Sequence, residues 1–124
     1  TIADLKGRAL LTTANVGVNT FFPIVLANSG LAEGDITITN VPDGALVSSY
    51  LQGADGAVGM LGGIDDKPAE IKANGGEPPV IFPYSDFGVN QVGYCIVARK
   101  EMVEQKPDLV KRFVAATIKS YKTA

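Results

Sequence analysis

Between Arg8 and Thr13 three successive apolar residues, Ala9-Leu10-Leu11, fall in a stretch the length of one strand. Side chains along a strand point alternately to its two faces, so an unbroken apolar run is stable only where both faces are covered. A parallel sheet sandwiched between helices supplies that cover. After the turn Ala14-Asn15-Val16-Gly17, residues Phe21, Phe22, Val25 and Leu26 recur at helical spacing until Ser29-Gly30 stops the helix. Pro23 fits only within a first turn, which places the helix start near Asn19 or Thr20.

The same alternation continues. Asp35 to Asn40 reads as a strand, and Pro42-Asp43 opens a helix with Leu46, Val47, Tyr50 and Leu51 on one face before Gly53. Ala57 to Leu61 reads as a short central strand broken by Gly62-Gly63. Asp65 or Asp66 can cap a helix over residues 67–73 that Gly75-Gly76 closes. Residues 79–82 and 93–98 supply two more strands. The last helix follows Pro107, with Leu109, Val110, Phe113, Val114, Thr117, Ile118 and Tyr121 on one face and Lys111, Arg112, Lys119 and Lys122 on the other. That apolar stripe calls for a partner surface and predicts self-association or swapping if none is supplied. The fold class is α/β, a three-layer α/β/α arrangement around a mainly parallel sheet of about five strands joined by right-handed crossovers.

Charge and composition exclude several functions. With 11 basic and 13 acidic side chains the formal charge is −2, and no basic run exists to displace counterions from a nucleic acid. The chain has no histidine, which removes the commonest general base and metal ligand. It carries no phosphate-binding loop, no nucleophile elbow and no dinucleotide fingerprint, so no cofactor and no metal is expected. The single Cys95 lies in an apolar stretch and reads as a buried, inert thiol. No apolar run approaches the ~20 residues of a membrane helix, and no leader-like segment opens the sequence, so a soluble, mature or truncated chain is expected.

Two loops follow strands at what should be the ligand edge of the sheet. In the first, Asn15, Val16, Gly17, Val18, Asn19 and Thr20 present helix-start amides and neutral polar side chains, suited to an anionic or carbonyl group. Capping by Asn19 or Thr20 explains the same residues equally well. In the second, Met60, Gly62, Asp65 and Asp66 belong to a glycine turn that either lets a ligand approach the backbone or simply caps the next helix. Asp65 and Asp66, adjacent on a turn, are expected to diverge, which disfavours a catalytic pair, and their spacing is not that of a Ca²⁺ loop. A third stretch, Tyr84 to Gly88, either stacks on a flat ligand or packs structurally. Neither of the first two loops holds Lys or Arg, so a neutral or amine-bearing heterocycle, or an anion held by backbone amides, is the expected ligand.

In their order and spacing, Asp4-Leu5-Lys6-Gly7, Gly17 ahead of its helix, Gly30-Leu31, Gln52-Gly53-Ala54-Asp55, Asp66-Lys67-Pro68, the Tyr84 to Gly88 loop and Lys106 to Phe113 together resemble a known family. It is that of the solute-binding proteins of ABC importers for nitrate, sulfonates, taurine and thiamine-pyrimidine precursors, the last being the nearest likeness. The resemblance implies a type II periplasmic-binding-protein clamp of two α/β lobes, of which residues 1–98 are ligand-binding lobe two. Residues 99–124 are the return segment and a helix that packs on lobe one, so the chain resembles an interior piece. It further implies that residues 15–20 and the segment 60–66 grip the ligand. The implied role is non-enzymatic: a small polar or heterocyclic solute is delivered to ABC permease subunits from a periplasmic or extracellular site, membrane-tethered if the parent is lipidated. Fungal pyrimidine synthases resemble the same fold but consume an active-site histidine, and sensory lobes of regulatory proteins are a further alternative.

Overall fold

The computed structural model describes residues 1–14, 16–90, 93 and 95–123. The chain parts into two compact units, Thr1–Gln91 and Val92–Ala124.

In the first unit β1 (Ala9–Thr12), β2 (Thr37–Asn40) and β3 (Ala57–Met60) form a parallel sheet in the order β2-β1-β3. The central strand pairs Leu10 with Ile38 on one side and Gly59 on the other, and the β1/β3 register shifts between Ala9 and Leu10. Gly59 suits that crowded point, because a Cβ there would lie 3.0 Å from Leu10 Cδ2. Leu10 packs in one cluster with Phe22, Val25 and Leu26 of α1 (Val16–Asn28) and with Ile2, Leu31, Ile36, Leu61 and Val89. Leu11, fully buried, points to the opposite face. There α2 (Leu46–Leu51) meets β1 and β3 and also contacts α3 (Lys67–Ala73). The continuous apolar run of β1 is thus covered on both sides, as its sequence requires.

The helix ends follow local chemistry. Gly30 at φ 74 and the bonds from Gly30 N–H to Ala27 O and Leu31 N–H to Leu26 O close α1 in a Schellman turn, which buries Leu31 near Leu26. Gly75 at φ 80, with Gly76 N–H donating to Ile71 O, closes α3 in the same way. The start of α1 differs from expectation. It begins at Val16 rather than near Asn19 or Thr20, so Pro23 lies inside the helix. An internal proline removes one helix bond and costs about 3 kcal/mol. Burial of Phe22, Val25 and Leu26, at about 1.5–3 kcal/mol each, outweighs it.

Three strands form among the described residues where about five were expected. Residues 79–82 run without a partner strand, bracketed by Pro78 and Pro83, with Val80 81% exposed. Pro79 itself lacks the N–H a ladder needs. Of 93–98, the described residues are irregular and Ile96 and Val97 are exposed. Cys95 is exposed too, against the expected buried thiol, because the apolar stretch holding it is not packed.

The second unit contains α4 (Lys100–Gln105) and α5 (Pro107–Thr123), packed on each other, and neither helix holds a buried residue. No helix among the described residues is long and apolar enough to cross a membrane.

Candidate functional site

Because the three strands are parallel, their carboxyl ends share one edge. There β1 runs into α1, and β3 runs into residues 61–66 and then α3. The chain leaves β1 toward β2 on one side and returns to β3 on the other, so the two connections diverge between β1 and β3. In open α/β sheets that divergence opens a crevice at the carboxyl edge where ligands bind. Residues 16–20 of the first candidate loop follow β1 at this edge, and residues 61–66 of the second follow β3.

In the first loop, Asn15 lies outside the described residues. Val16, Gly17 and Val18 form the first turn of α1, so their backbone N–H groups lack intrahelical acceptors and stand at the positive end of the helix dipole. Asn19 is the fourth helical residue, not a cap. Its Oδ1 accepts from the buried Thr12 hydroxyl at 2.9 Å and its Nδ2 donates to Thr13 O at 3.0 Å. The Asn19 amide therefore fastens α1 to the end of β1, whereas Thr20 is exposed.

In the second loop, Met60 ends β3, half-buried and paired with Leu11, and Gly62 is exposed. The glycines serve the loop's own side chains. A Cβ on Gly62 would lie 2.8 Å from Lys67 Cγ, and one on Gly63 would lie 2.5 Å from Asp65 Oδ1 and 2.8 Å from Asp66 Oδ1. Asp65 and Asp66 thus converge over Gly63 instead of diverging. Asp66 occupies the N-cap position of α3, yet its side chain makes no cap hydrogen bond and instead meets Lys67 Nζ at 3.3 Å.

Lys67 was missing from the sequence reading of this edge. Its side chain is 14% exposed, its stem packs on Gly62, and its ammonium also lies 2.9 Å from Glu70 Oε2. The Glu70 hydrogen bond, opposed by partial desolvation and reinforced by Asp66, holds the Lys67 pKa above its ordinary value. The available signal was the three-residue spacing of Lys67 and Glu70 on one helix face. Because both carboxylates engage it, Lys67 offsets the loop's own charge.

The Tyr84–Phe87 turn packs structurally. Tyr84 stacks on Phe22 with ring centroids 6.3 Å apart, and burial pushes its phenol pKa up. Asn28 Nδ2, at the far end of α1, donates to Phe87 O at 2.7 Å. That end of α1 lies away from the carboxyl edge, so this turn is not part of the crevice. Among the described residues no group of three or more Cys, Asp or Glu side chains is placed to hold a metal ion.

A parallel three-stranded sheet flanked by helices is the α/β class, consistent with a fragment of a type II binding-protein fold. The sequence profile described as NMT1/THI5 like matches residues 1–124, and the chain belongs to that family, which comprises ABC-type nitrate, sulfonate and taurine solute-binding proteins. No curated protein and no solved structure matches the chain. Membership suggests a solute-binding role and, in general, a small-molecule solute and ABC permease partners. The family is typically periplasmic or extracellular, and one of its members, THI5, is a pyrimidine synthase.

Proposed function

We propose that this chain is the second lobe, over residues 1–98, of the solute-binding component of a bacterial ABC importer, with residues 99–124 returning toward the first lobe. It grips a small polar or heterocyclic solute in the interlobe cleft and presents it to a permease. The observation that supports the reading is that residues 16–20 and 61–66 follow the adjacent parallel strands β1 and β3 at the carboxyl edge of the sheet. In this reading the backbone N–H groups of Val16, Gly17 and Val18 and the Thr20 hydroxyl bind a carbonyl or anionic group, and Met60, Gly62, Asp65 and Asp66 contact the same ligand. Asn19 positions the first turn through Thr12 and Thr13.

The ligand is a neutral or amine-bearing heterocycle of the thiamine-pyrimidine kind. Supporting this, the two carboxylates stand at the loop surface, and the Lys67 ammonium beside them is engaged by Glu70 and Asp66. The synthase reading is weaker, because the histidine such an enzyme consumes does not occur in these 124 residues.

A thermal-shift screen of the full-length gene product against thiamine-pyrimidine precursors, riboflavin, taurine, alkanesulfonates and nitrate tests the proposal. A ligand present at 100 times its Kd stabilises by about 2.7 kcal/mol, so the pyrimidine precursor should raise Tm by several degrees. Tight sulfonate binding with indifference to pyrimidines overturns the ligand class. No shift with any compound counts against import of these solutes.

A further inference from the structure

The end of α3 places an asparagine directly before a glycine. Asn74-Gly75 is the chain's single Asn-Gly pair, its other five asparagines preceding Val, Thr, Ser, Val and Gln. The side-chain carbonyl of an asparagine is an electrophile, and the next backbone nitrogen can close a succinimide ring on it where no Cβ obstructs the approach. Asn74 and Gly75 are both exposed, and even a Cβ at Gly75 would meet nothing within 4 Å, so neither water nor a closing ring is hindered. The folded turn nevertheless holds the reacting groups apart. Asn74 is the C-cap of α3 at ψ 15, which turns the Gly75 nitrogen toward Asn74's own nitrogen and away from its Cβ. Gly75 N–H donates to Lys72 O at 3.1 Å, and Asn74 Nδ2 donates to Glu70 O at 2.8 Å. Both bonds must break before the ring can close.

We infer that Asn74 is a self-modification site gated by the last turn of α3. When that turn opens, Gly75 N bonds to Asn74 Cγ and gives up its proton, and the Cγ–Nδ2 bond breaks to release ammonia. Water then opens the succinimide. Attack at the backbone carbonyl leaves the chain running through the side chain as isoaspartate, and attack at Cγ leaves aspartate. Either product puts a carboxylate at the negative end of the α3 dipole, where it is unfavourable. Isoaspartate also adds a methylene to the backbone beside Gly76, whose N–H donates to Ile71 O at 2.9 Å and where a Cβ would already lie 2.7 Å from Ile71 Cγ2. The modified turn closes less well over the buried Ile71, so modification loosens the end of α3. The inference is independent of the solute proposed above.

Peptide mapping by mass spectrometry of the 124-residue chain, aged in mildly alkaline buffer, is the test. Isoaspartate should appear at Asn74 ahead of every other asparagine. It should form at least about tenfold more slowly in the folded chain than in denaturing guanidinium chloride, equivalent to about 1.4 kcal/mol of opening. Gly76→Ala crowds the closed turn, so where opening is fast relative to reaction it should convert about fivefold faster than the parent. Asn74→Gln should release no ammonia from this position on the same timescale and should keep its Tm, whereas the aged parent should melt below the fresh one. Equal rates in the folded and denatured chains, or in Gly76→Ala and the parent, would overturn the inference by removing the gate. A different asparagine converting first would overturn the site, and an unchanged Tm after Asn74 has converted would overturn the loosening of α3.

Discussion

Asn19 and Asp55 show how much of the first unit rests on single side chains. The Thr12 hydroxyl is buried and has one proton to give, which goes to Asn19 Oδ1 at 2.9 Å in preference to Thr13 O at 3.3 Å. Replacing Asn19 with Ala leaves that hydroxyl only the longer bond to Thr13 O and removes the second donor to that carbonyl, so stability should fall by about 1 kcal/mol. The urea midpoint should drop at unchanged m-value, and a variant within about 0.5 kcal/mol of the parent, about one-third of RT ln 10, would refute the fastening role. Asp55 sits at φ 55 between Gly53 at φ 65 and Gly56 at φ 67, the one non-glycine residue at positive φ among those described. An L-residue pays about 1–2 kcal/mol in that region, and Asp tolerates it better than most. Asp55→Val should therefore destabilise by about 1–2 kcal/mol, while Asp55→Gly should cost nothing; equal melting temperatures for the two variants would contradict this.

At the scale of elements, the end of α3 is the tightest constraint. A Cβ at Gly76 would lie 2.5 Å from Leu51 Cδ2, 2.7 Å from Ile71 Cγ2 and 3.1 Å from Ile71 O. Leu51 is partly exposed and can move aside, but Ile71 is buried and its carbonyl is fixed by the Gly76 N–H. Gly76→Ala should lower stability by about 1–3 kcal/mol through overpacking, read as a fall in Tm with native far-UV circular dichroism; an unchanged Tm would show that α3 is free to shift. Elements of this kind were legible in the sequence because their signals are local. The apolar run of β1, Gly30 after α1, Gly75-Gly76 after α3 and the stripe of α5 each carry their own evidence. The start of α1 was not legible: the proline rule favours a first-turn site, and tertiary burial of Phe22, Val25 and Leu26 overrode it. Residues 79–82 and 93–98 have strand-like composition, yet a strand also needs a partner distant in sequence, which composition does not encode. Within the candidate site, the alternation of strands and helices placed each loop after a strand, but Ala57–Met60, expected as a central strand, is an edge strand among the described residues and β1 is central. The folding of Asp65, Asp66 and Lys67 back over Gly62 and Gly63 could not be read, because it depends on rotamers around a turn.

At the scale of the whole molecule the two units differ in how they can be held. Thr1–Gln91 buries both faces of its central strand, whereas α4 and α5 bury nothing among the described residues. Isolated helices as short as α4 are unstable in water and one of 17 residues is marginal, so the second unit should open first and most often. Dilute trypsin should then cut at Arg99, Lys100, Lys111 and Arg112 well before Lys72, leaving a protected fragment of the first unit. When opening is fast relative to cleavage, the cutting rate follows the population of the open form. In the full-length gene product a first lobe packed on α5 reduces that population by mass action, so Lys111 and Arg112 should be cut more slowly there than in the 124-residue chain, while cleavage at Lys72 changes little. Equal cutting of α5 in the two proteins would mean that the stripe stays uncovered, and early cleavage at Lys72 would mean that the first unit does not hold together alone.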